Sequence, residues 1–475
     1  MKRFAALALL VSSSAFHRVS AQEWPRFRGP NGAGTSASVG LPDSFGPEEN
    51  LRWRTELPPG HSSPVLGEGT VFVTGADEKG LVVACLARDT GAVRWERRLE
   101  RARTQEVYKA NGAATPTPAT DGANVYAFFP ELGLVSFDAQ GKERWRLPLG
   151  PFVNFYGMAG SPILAGNSVV LLCDQQQGSF LVCADATSGK ERWRTERKGI
   201  VEGWTTPVLL PASAPKTILV SGTYFLCAYS LDTGKELWRQ GGVGYNPISS
   251  PFVWERAAPE QPLLFTCTPF HAEGGPMPTF EALTDENDGD EDGRLSKAEL
   301  SKSWLAEHFG WIDTSRDGFI DVDEWTFVAD GVSTKDHGLV AFRVGDGTKA
   351  PEEAWRHKRS LPSIATPLLA DGVVYVVKEG GMLTRLDATS GKELGFTRIQ
   401  EAQGQIDASP VTADGKIFLA TTEGRVVVLS AGSEPKVLAS CELGETIHAT
   451  PAIGGGALFV RTEKALYCFA RAEKN

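Results

Sequence analysis

A Ser-Pro or Thr-Pro step recurs eight times in this chain. The steps are Ser63-Pro64, Thr117-Pro118, Ser161-Pro162, Thr206-Pro207, Ser250-Pro251, Thr366-Pro367, Ser409-Pro410 and Thr450-Pro451, spaced 54, 44, 45, 44, 116, 43 and 41 residues apart. Some seven residues after each proline an apolar run usually begins, as in Val71-Phe72-Val73, Val125-Tyr126-Ala127 and Val169-Val170-Leu171. A second apolar run follows, such as Leu81-Val82-Val83-Ala84-Cys85-Leu86, then a turn and a short strand carrying Trp. Four short strands in about 44 residues is the pattern of a propeller blade. One blade has two apolar faces that it cannot bury alone, and stacking blades in a ring buries both. The repeat therefore predicts an all-β fold, an eight-bladed β-propeller. It overrides the expectation, from 475 residues, of about three separate domains. The 51 glycines and 29 prolines suit the many turns this needs.

The clearest copies of the last unit are Gly141-Lys142-Glu143-Arg144-Trp145-Arg146, Gly189-Lys190-Glu191-Arg192-Trp193-Arg194 and Gly234-Lys235-Glu236-Leu237-Trp238-Arg239. Trp95 and Trp355 hold the same place in looser copies. An aromatic at a fixed place in the outer strand reads as a wedge between blades. Copy six has Gly395 there, followed by Phe396, and copy seven has no Trp. Those two blades are expected to pack more loosely at the rim. Copy eight stops after Ala465-Leu466-Tyr467-Cys468-Phe469, and the missing Trp strand stands before copy one as Leu51-Arg52-Trp53-Arg54-Thr55. The N-terminal strand is thus expected to complete the last blade, giving a propeller over residues 51–475 after a leader over residues 22–50.

The unit Ala-x-Asp-Ala-x-Ser-Gly-Lys-x-x-Trp is nearly complete from Ala184 to Trp193. With it the repeats resemble the family whose founding members bind pyrroloquinoline quinone (PQQ), over roughly residues 50–472 outside one insertion. The leader Trp24-Pro25-Arg26-Phe27-Arg28-Gly29-Pro30-Asn31-Gly32 resembles the start of many exported bacterial members. The resemblance implies one of two functions. Some members are quinoprotein dehydrogenases. Others resemble the propeller of the outer-membrane assembly machinery and carry no cofactor.

Residues 1–21 read as a secretory signal. Lys2 and Arg3 precede the apolar run Phe4 to Val11, too short to span a bilayer, and Val19-Ser20-Ala21 is a small-residue cleavage site. Cleavage after Ala21 would place the protein in the periplasm or outside the cell, and no later stretch is apolar and long enough to span a membrane. The formal charge is −10 and no basic face is evident, which argues against nucleic-acid binding. The seven cysteines include no Cys-x-x-Cys. Cys173 and Cys183 flank a presumed hairpin, and the sequence leaves open whether they pair or stay as buried thiols.

The 116-residue spacing exceeds the usual one by some 72 residues. The excess lies between the second and third strands of blade five, around residues 276–330. It holds Asp288-Gly289-Asp290-Glu291-Asp292-Gly293-Arg294-Leu295-Ser296-Lys297-Ala298-Glu299 and Asp313-Thr314-Ser315-Arg316-Asp317-Gly318-Phe319-Ile320-Asp321-Val322-Asp323-Glu324. Both match the twelve-residue EF-hand loop, with Gly at position six and Glu at twelve. Calcium is a hard cation that takes six to eight oxygens. The expected ligands are Asp288, Asp290, Asp292, the Arg294 carbonyl, Ser296 through a water and Glu299. In the second loop they are Asp313, Ser315, Asp317, the Phe319 carbonyl, Asp321 and Glu324. Two calcium ions are therefore expected. Leu295 and Ile320 should pair in a short ladder, and Leu300, Trp304, Leu305, Phe309 and Ile312 form an apolar stripe at helical spacing.

Loops before the Ser/Thr-Pro steps should ring the mouth of the channel. They bring His61, Trp204, Asp407 and His448, with Tyr156, Glu202, Tyr245 and Asn246 in equivalent loops. These eight are the candidate ligand-binding residues. A PQQ-dependent dehydrogenase of an alcohol or sugar would need a carboxylate base, a channel calcium and an aromatic platform there. Adjacent cysteines, frequent in such enzymes, are absent, and so is Cys-x-x-Cys-His for haem. No Gly-x-Ser-x-Gly elbow supports a hydrolase. The reading favoured by the sequence is an exported calcium-binding propeller, without catalysis, that binds a protein or glycan partner.

Overall fold

The computed structural model describes residues 24–105, 111–270, 277–313, 315–333, 336–432 and 434–472. The expected signal segment and its cleavage site lie outside them. Eight four-stranded antiparallel sheets follow one another around a ring. In each, the innermost strand starts directly after a Ser/Thr-Pro step, as at Val65–Gly67, Ile163–Ala165 and Val411–Ala413. Leu51–Glu56 pairs antiparallel with Ala465–Ala470, with Trp53 opposite Cys468, so the first strand closes the last blade. Second and third strands are buried along nearly their whole length, because neighbouring blades cover both of their faces.

The Ser/Thr-Pro step has a structural cause. The backbone N–H of its Ser or Thr donates to the hydroxyl of the corresponding residue in the next blade. The chain runs Ser63 to Thr117, Ser161, Thr206, Ser250, Thr366, Ser409 and Thr450, over seven junctions of 2.9–3.1 Å. Proline then fixes φ where the inner strand begins. The repeat is therefore a belt of hydrogen bonds around the channel.

The Trp residues are the outer belt. The indole N–H of Trp53, Trp95, Trp145, Trp193, Trp238 and Trp355 donates to a carbonyl of the following blade at 2.8–3.1 Å. Five of these rings lie flat on a turn glycine: Gly91, Gly141, Gly189, Gly234 and Gly391. A Cβ on any of them would stand 2.5–2.6 Å from the ring.

In blades six and seven, where Trp is missing, other groups occupy its place, while Leu394, Phe396, Val437 and Leu438 of their outer strands are exposed. The Arg385 guanidinium lies against Gly395, where Trp would be. Tyr375 bridges to blade seven, its hydroxyl accepting from Gly432 N–H at 2.8 Å and donating to Gly432 O at 3.1 Å. Between blades seven and eight the leader supplies the aromatic. Phe45 lies 6.5 Å from Phe418 and 4.6 Å from Phe469, centroid to centroid.

The leader crosses the channel. Leu66 N–H donates to Trp24 O and Thr120 N–H to Pro25 O, on blades one and two. Asn31 and Leu209 exchange two bonds of 2.9 Å on blade four. Arg28 donates to Thr366 O and Pro367 O, both at 3.0 Å, on blade six, and Thr412 N–H of blade seven donates to Gly34 O. A segment this short can touch blades one, two, four, six and seven only by lying across the centre. Trp24 and Arg28 are fully buried there. The Arg28 pKa is pushed down to about 9 by burial alone.

The pairing of Cys173 with Cys183 is excluded by register. Cys173 stands opposite Phe180, and Cys183 opposite Val170. The two thiols sit in different core clusters, and both are free.

Candidate functional site

The insertion forms helix α1 (Phe280–Asn287), a short ladder, helix α2 (Leu305–Ile312) and helix α3 (Val322–Ser333). The ladder pairs Leu295 with Ile320 and Ser296 with Phe319, as the loop spacing predicts. Leu283, Leu295, Leu300, Leu305, Phe309, Ile312, Ile320, Trp325 and Val328 make a core of their own. Trp304 departs from expectation. It is 54% exposed and stacks edge-on with His308, because Leu300 belongs to a separate 3-10 turn and breaks the helical phase.

Both loops fold around their acids. In the first, ligand oxygens of Asp288, Asp290 and Asp292 lie within 4.8 Å of one another. Glu299 turns back into the loop and accepts from Gly289 N–H at 3.0 Å and Ser296 N–H at 2.8 Å. In the second, Glu324 accepts from Ser315 N–H at 2.7 Å and Asp321 N–H at 3.2 Å. Asp313 receives Gly318 N–H at 3.1 Å and Phe319 N–H reaches Asp317 at 2.9 Å. Gly293 and Gly318 have φ of +77° and +88°, which a side chain would strain. The Arg294 guanidinium stacks on Phe319 at 4.0 Å and joins the two loops. The Asp290 carboxyl is held above its ordinary range by local desolvation and by Asp292, Glu299 and Asp288. A cation would relieve that crowding.

The channel-mouth residues gather into two groups. In the first, from blades one, seven and eight, the His61 and His448 rings stack 4.2 Å apart and His448 Nδ1 lies 2.8 Å from Asp407 Oδ2. Gln405 Nε2 donates to Asp407 Oδ1 at 2.9 Å. Burial raises the Asp407 pKa, but the bonds from His448 and Gln405 bring it below the usual value. Burial, then His448 and Arg461, pushes His61 down to about 4. Arg461 is buried with no carboxylate beside it among the described residues, and holds the loop under His61 by donating to Pro58 O and the Ser62 hydroxyl.

The second group is Tyr156, Glu202, Trp204, Tyr245 and Asn246. Trp204 is 7% exposed, donates its indole N–H to Gly157 O at 2.8 Å and meets Tyr156 edge to face at 5.7 Å. Glu202 accepts from Gln176 Nε2 at 2.9 Å, and burial raises its pKa. Burial, then Glu202, also raises Tyr245. Asn246 adopts φ +51°, and its Oδ1 is buried without a hydrogen-bond partner among the described residues.

Sequence reasoning missed Gln405, although it stands two positions before Asp407, and it missed Gln176 and Arg461, which are remote from the Ser/Thr-Pro steps that served as the guide. It also missed the docking of the insertion. The module is inserted in blade five, yet Phe327 of α3 packs on Phe225 of blade four at 4.9 Å, over Gly199 and under Arg239.

Fold and site together define an eight-bladed propeller of PQQ-like repeats with an acidic two-loop insertion. The sequence pattern of the family described as outer membrane protein assembly factor BamB matches residues 47–240 and 321–475. The chain belongs to this family. It is 29% identical over 226 residues to the outer membrane protein assembly factor BamB of Burkholderia pseudomallei (strain K96243). That alignment takes in 45% of this chain and about half, 53%, of the relative's length. The fold is similar to BamB from Moraxella catarrhalis, with a TM-score of 0.57 and 13% identity over 90% of this chain and 98% of that one. It is equally similar to a europium-containing methanol dehydrogenase, with a TM-score of 0.61 and 12% identity over 95% and 98%. A quinohaemoprotein alcohol dehydrogenase from Comamonas testosteroni gives 0.62 and 12% over 95% and 81%. Such distant likenesses establish the fold alone. Among the described residues, no helix is long and apolar enough to cross a membrane.

Proposed function

We propose that the mature protein is an exported, calcium-loaded propeller of the cell envelope that binds a protein partner and catalyses nothing. The observation that carries this reading is the family match across both halves of the ring. The relatives' role as outer membrane protein assembly factors favours a protein over a glycan as the partner. In this reading Asp288, Asp290, Asp292, Glu299 and their counterparts in the second loop hold two calcium ions that stiffen the insertion. The preformed turn geometry and the inward-folded Glu299 and Glu324 support it.

PQQ fits the mouth poorly. Trp204 is sealed under Tyr156 rather than open as a platform, and Asp407 is engaged by His448 and Gln405. Among the described residues, the one cluster of three metal-ligand groups lies in the insertion, not at the mouth.

The test is calorimetric titration of the metal-stripped mature protein, first with calcium and then with PQQ. Two calcium sites, lost in the Glu299→Ala, Glu324→Ala double variant, and no heat from PQQ are expected. Stoichiometric PQQ binding would overturn the non-catalytic reading, and absence of calcium binding would overturn the metal assignment.

A further inference from the structure

The outer strand of four blades carries an Arg just before its Trp: Arg94, Arg144, Arg192 and Arg52. In blade three Cys183 stands opposite Trp193, and two residues further on Asp185 pairs with Arg192 at 2.5 Å. Asp138 holds the same place in blade two, where Arg144 is bonded to Tyr126, Ser136 and Ala186. Registering blades one and eight through Cys85–Trp95 and Cys468–Trp53 puts Ala87 and Ala470 at that position. Neither blade has a carboxylate at the position from which Asp185 pairs with Arg192 in blade three.

These two blades are neighbours, and their arginines face one cleft. It has a volume of about 310 Å³ and is lined by Arg52, Arg88, Arg94, Asp89 and the turn glycines Gly69 and Gly455. Arg52 and Arg94 are exposed, and neither makes a hydrogen bond or ion pair among the described residues. Arg88 is steadied over the Phe459 ring at 5.9 Å. It closes on Gly455, where a Cβ would stand 2.7 Å from its guanidinium. Two guanidiniums without a partner among the described residues, facing one cleft on a chain of formal charge −10, make a concentrated local field. The planar fork of Arg matches oxyanions in pairs of hydrogen bonds, and several forks together suit a multiply charged anion better than a single carboxylate.

We propose that the cleft between blades eight and one binds a phosphoryl group, carried by a soluble phosphate compound or by a lipid headgroup. The site is separate from the calcium loops and from the channel mouth.

The test uses the mature, calcium-loaded protein in low salt. Inorganic pyrophosphate is titrated calorimetrically, and vesicles of phosphatidylcholine with and without phosphatidylglycerol are sedimented with the protein. Saturable pyrophosphate binding identifies a soluble ligand. Binding confined to the phosphatidylglycerol vesicles identifies a headgroup. In either case Arg52→Ala with Arg94→Ala should weaken binding at least tenfold, since it removes both unpartnered cations of the cleft. Ala87→Asp, which restores the carboxylate of blade three, should do the same. Urea unfolding of each variant checks the fold of the propeller. Binding to neither probe, or binding that the variants leave unchanged, overturns the proposal.

Discussion

His448 Nδ1 lies 2.8 Å from Asp407 Oδ2, across the junction of blades seven and eight, and the His61 ring of blade one lies against the imidazole so oriented. Burial lowers His61 to about 4, against 6.5 in an unfolded chain, so it is neutral when folded. Between pH 6.5 and 4 the unfolded chain takes up a proton that the folded protein refuses. Stability therefore falls as pH drops through that window. The width of that window caps the effect at about 3 kcal/mol. His61→Gln should flatten the change in urea midpoint between pH 7 and pH 4.5. Equal slopes in the two proteins would show that His61 is not buried as a neutral base.

The seams between blades make a second prediction. Gly189 has φ +71° and lies under the Trp145 ring, while Gly415 has φ +67° with open space beside it. Gly415→Ala pays only for the left-handed backbone, about 1 kcal/mol. Gly189→Ala adds a collision with the indole and should cost clearly more. Trp145→Ala should cost roughly 3–5 kcal/mol as a large buried ring is removed. Urea unfolding of the three variants ranks them, and a Gly189→Ala midpoint equal to that of Gly415→Ala would contradict the wedge.

Much of this was legible because a repeat averages its own noise. The eight Ser/Thr-Pro steps located every inner strand, and Trp53 announced the closing strand. The turn geometry of the two acidic loops was readable because their spacing is set locally. What escaped were contacts between segments distant in sequence. Arg26 and Arg28 looked like leader residues, yet they reach carbonyls 181 and 338 positions away. Tyr375 and Phe45 substitute for absent Trp residues from unrelated strand positions, so no register could reveal them. The mouth residues were found by counting back from proline, but their split into two groups depends on ring closure and side-chain direction.

The leader yields a third prediction. Arg28 is fully buried and donates to Gly32 O at 3.1 Å besides Thr366 O and Pro367 O. With Ala33 O, also within its reach at 3.5 Å, its removal leaves four carbonyls without this donor. Arg28→Ala should lower stability by about 3 kcal/mol. Arg28→Lys should recover little of it, because one ammonium cannot reproduce the planar fork. Chemical unfolding measures both, and full rescue by Lys would mean that charge alone, rather than geometry, anchors the leader.

The last prediction concerns how the insertion is held. Gly199 has φ +72° and no space for a side chain, because the Phe327 ring occupies it. The Arg239 guanidinium covers the ring at 4.7 Å from its centroid. Nearby, Arg316 of the second loop lies against Gly178 in blade three. Phe327→Ala and Gly199→Val break this seat from opposite sides. Both should release the module from blades three and four while leaving its own core and the two loops proposed to hold calcium intact. The expected outcome is rapid proteolysis of residues 277–333 in either variant with two calcium sites retained. Because the two changes strike one contact, the double variant should be no more susceptible than the singles. Additive effects, or loss of calcium binding with the Phe327 ring, would mean that the module folds only against the propeller.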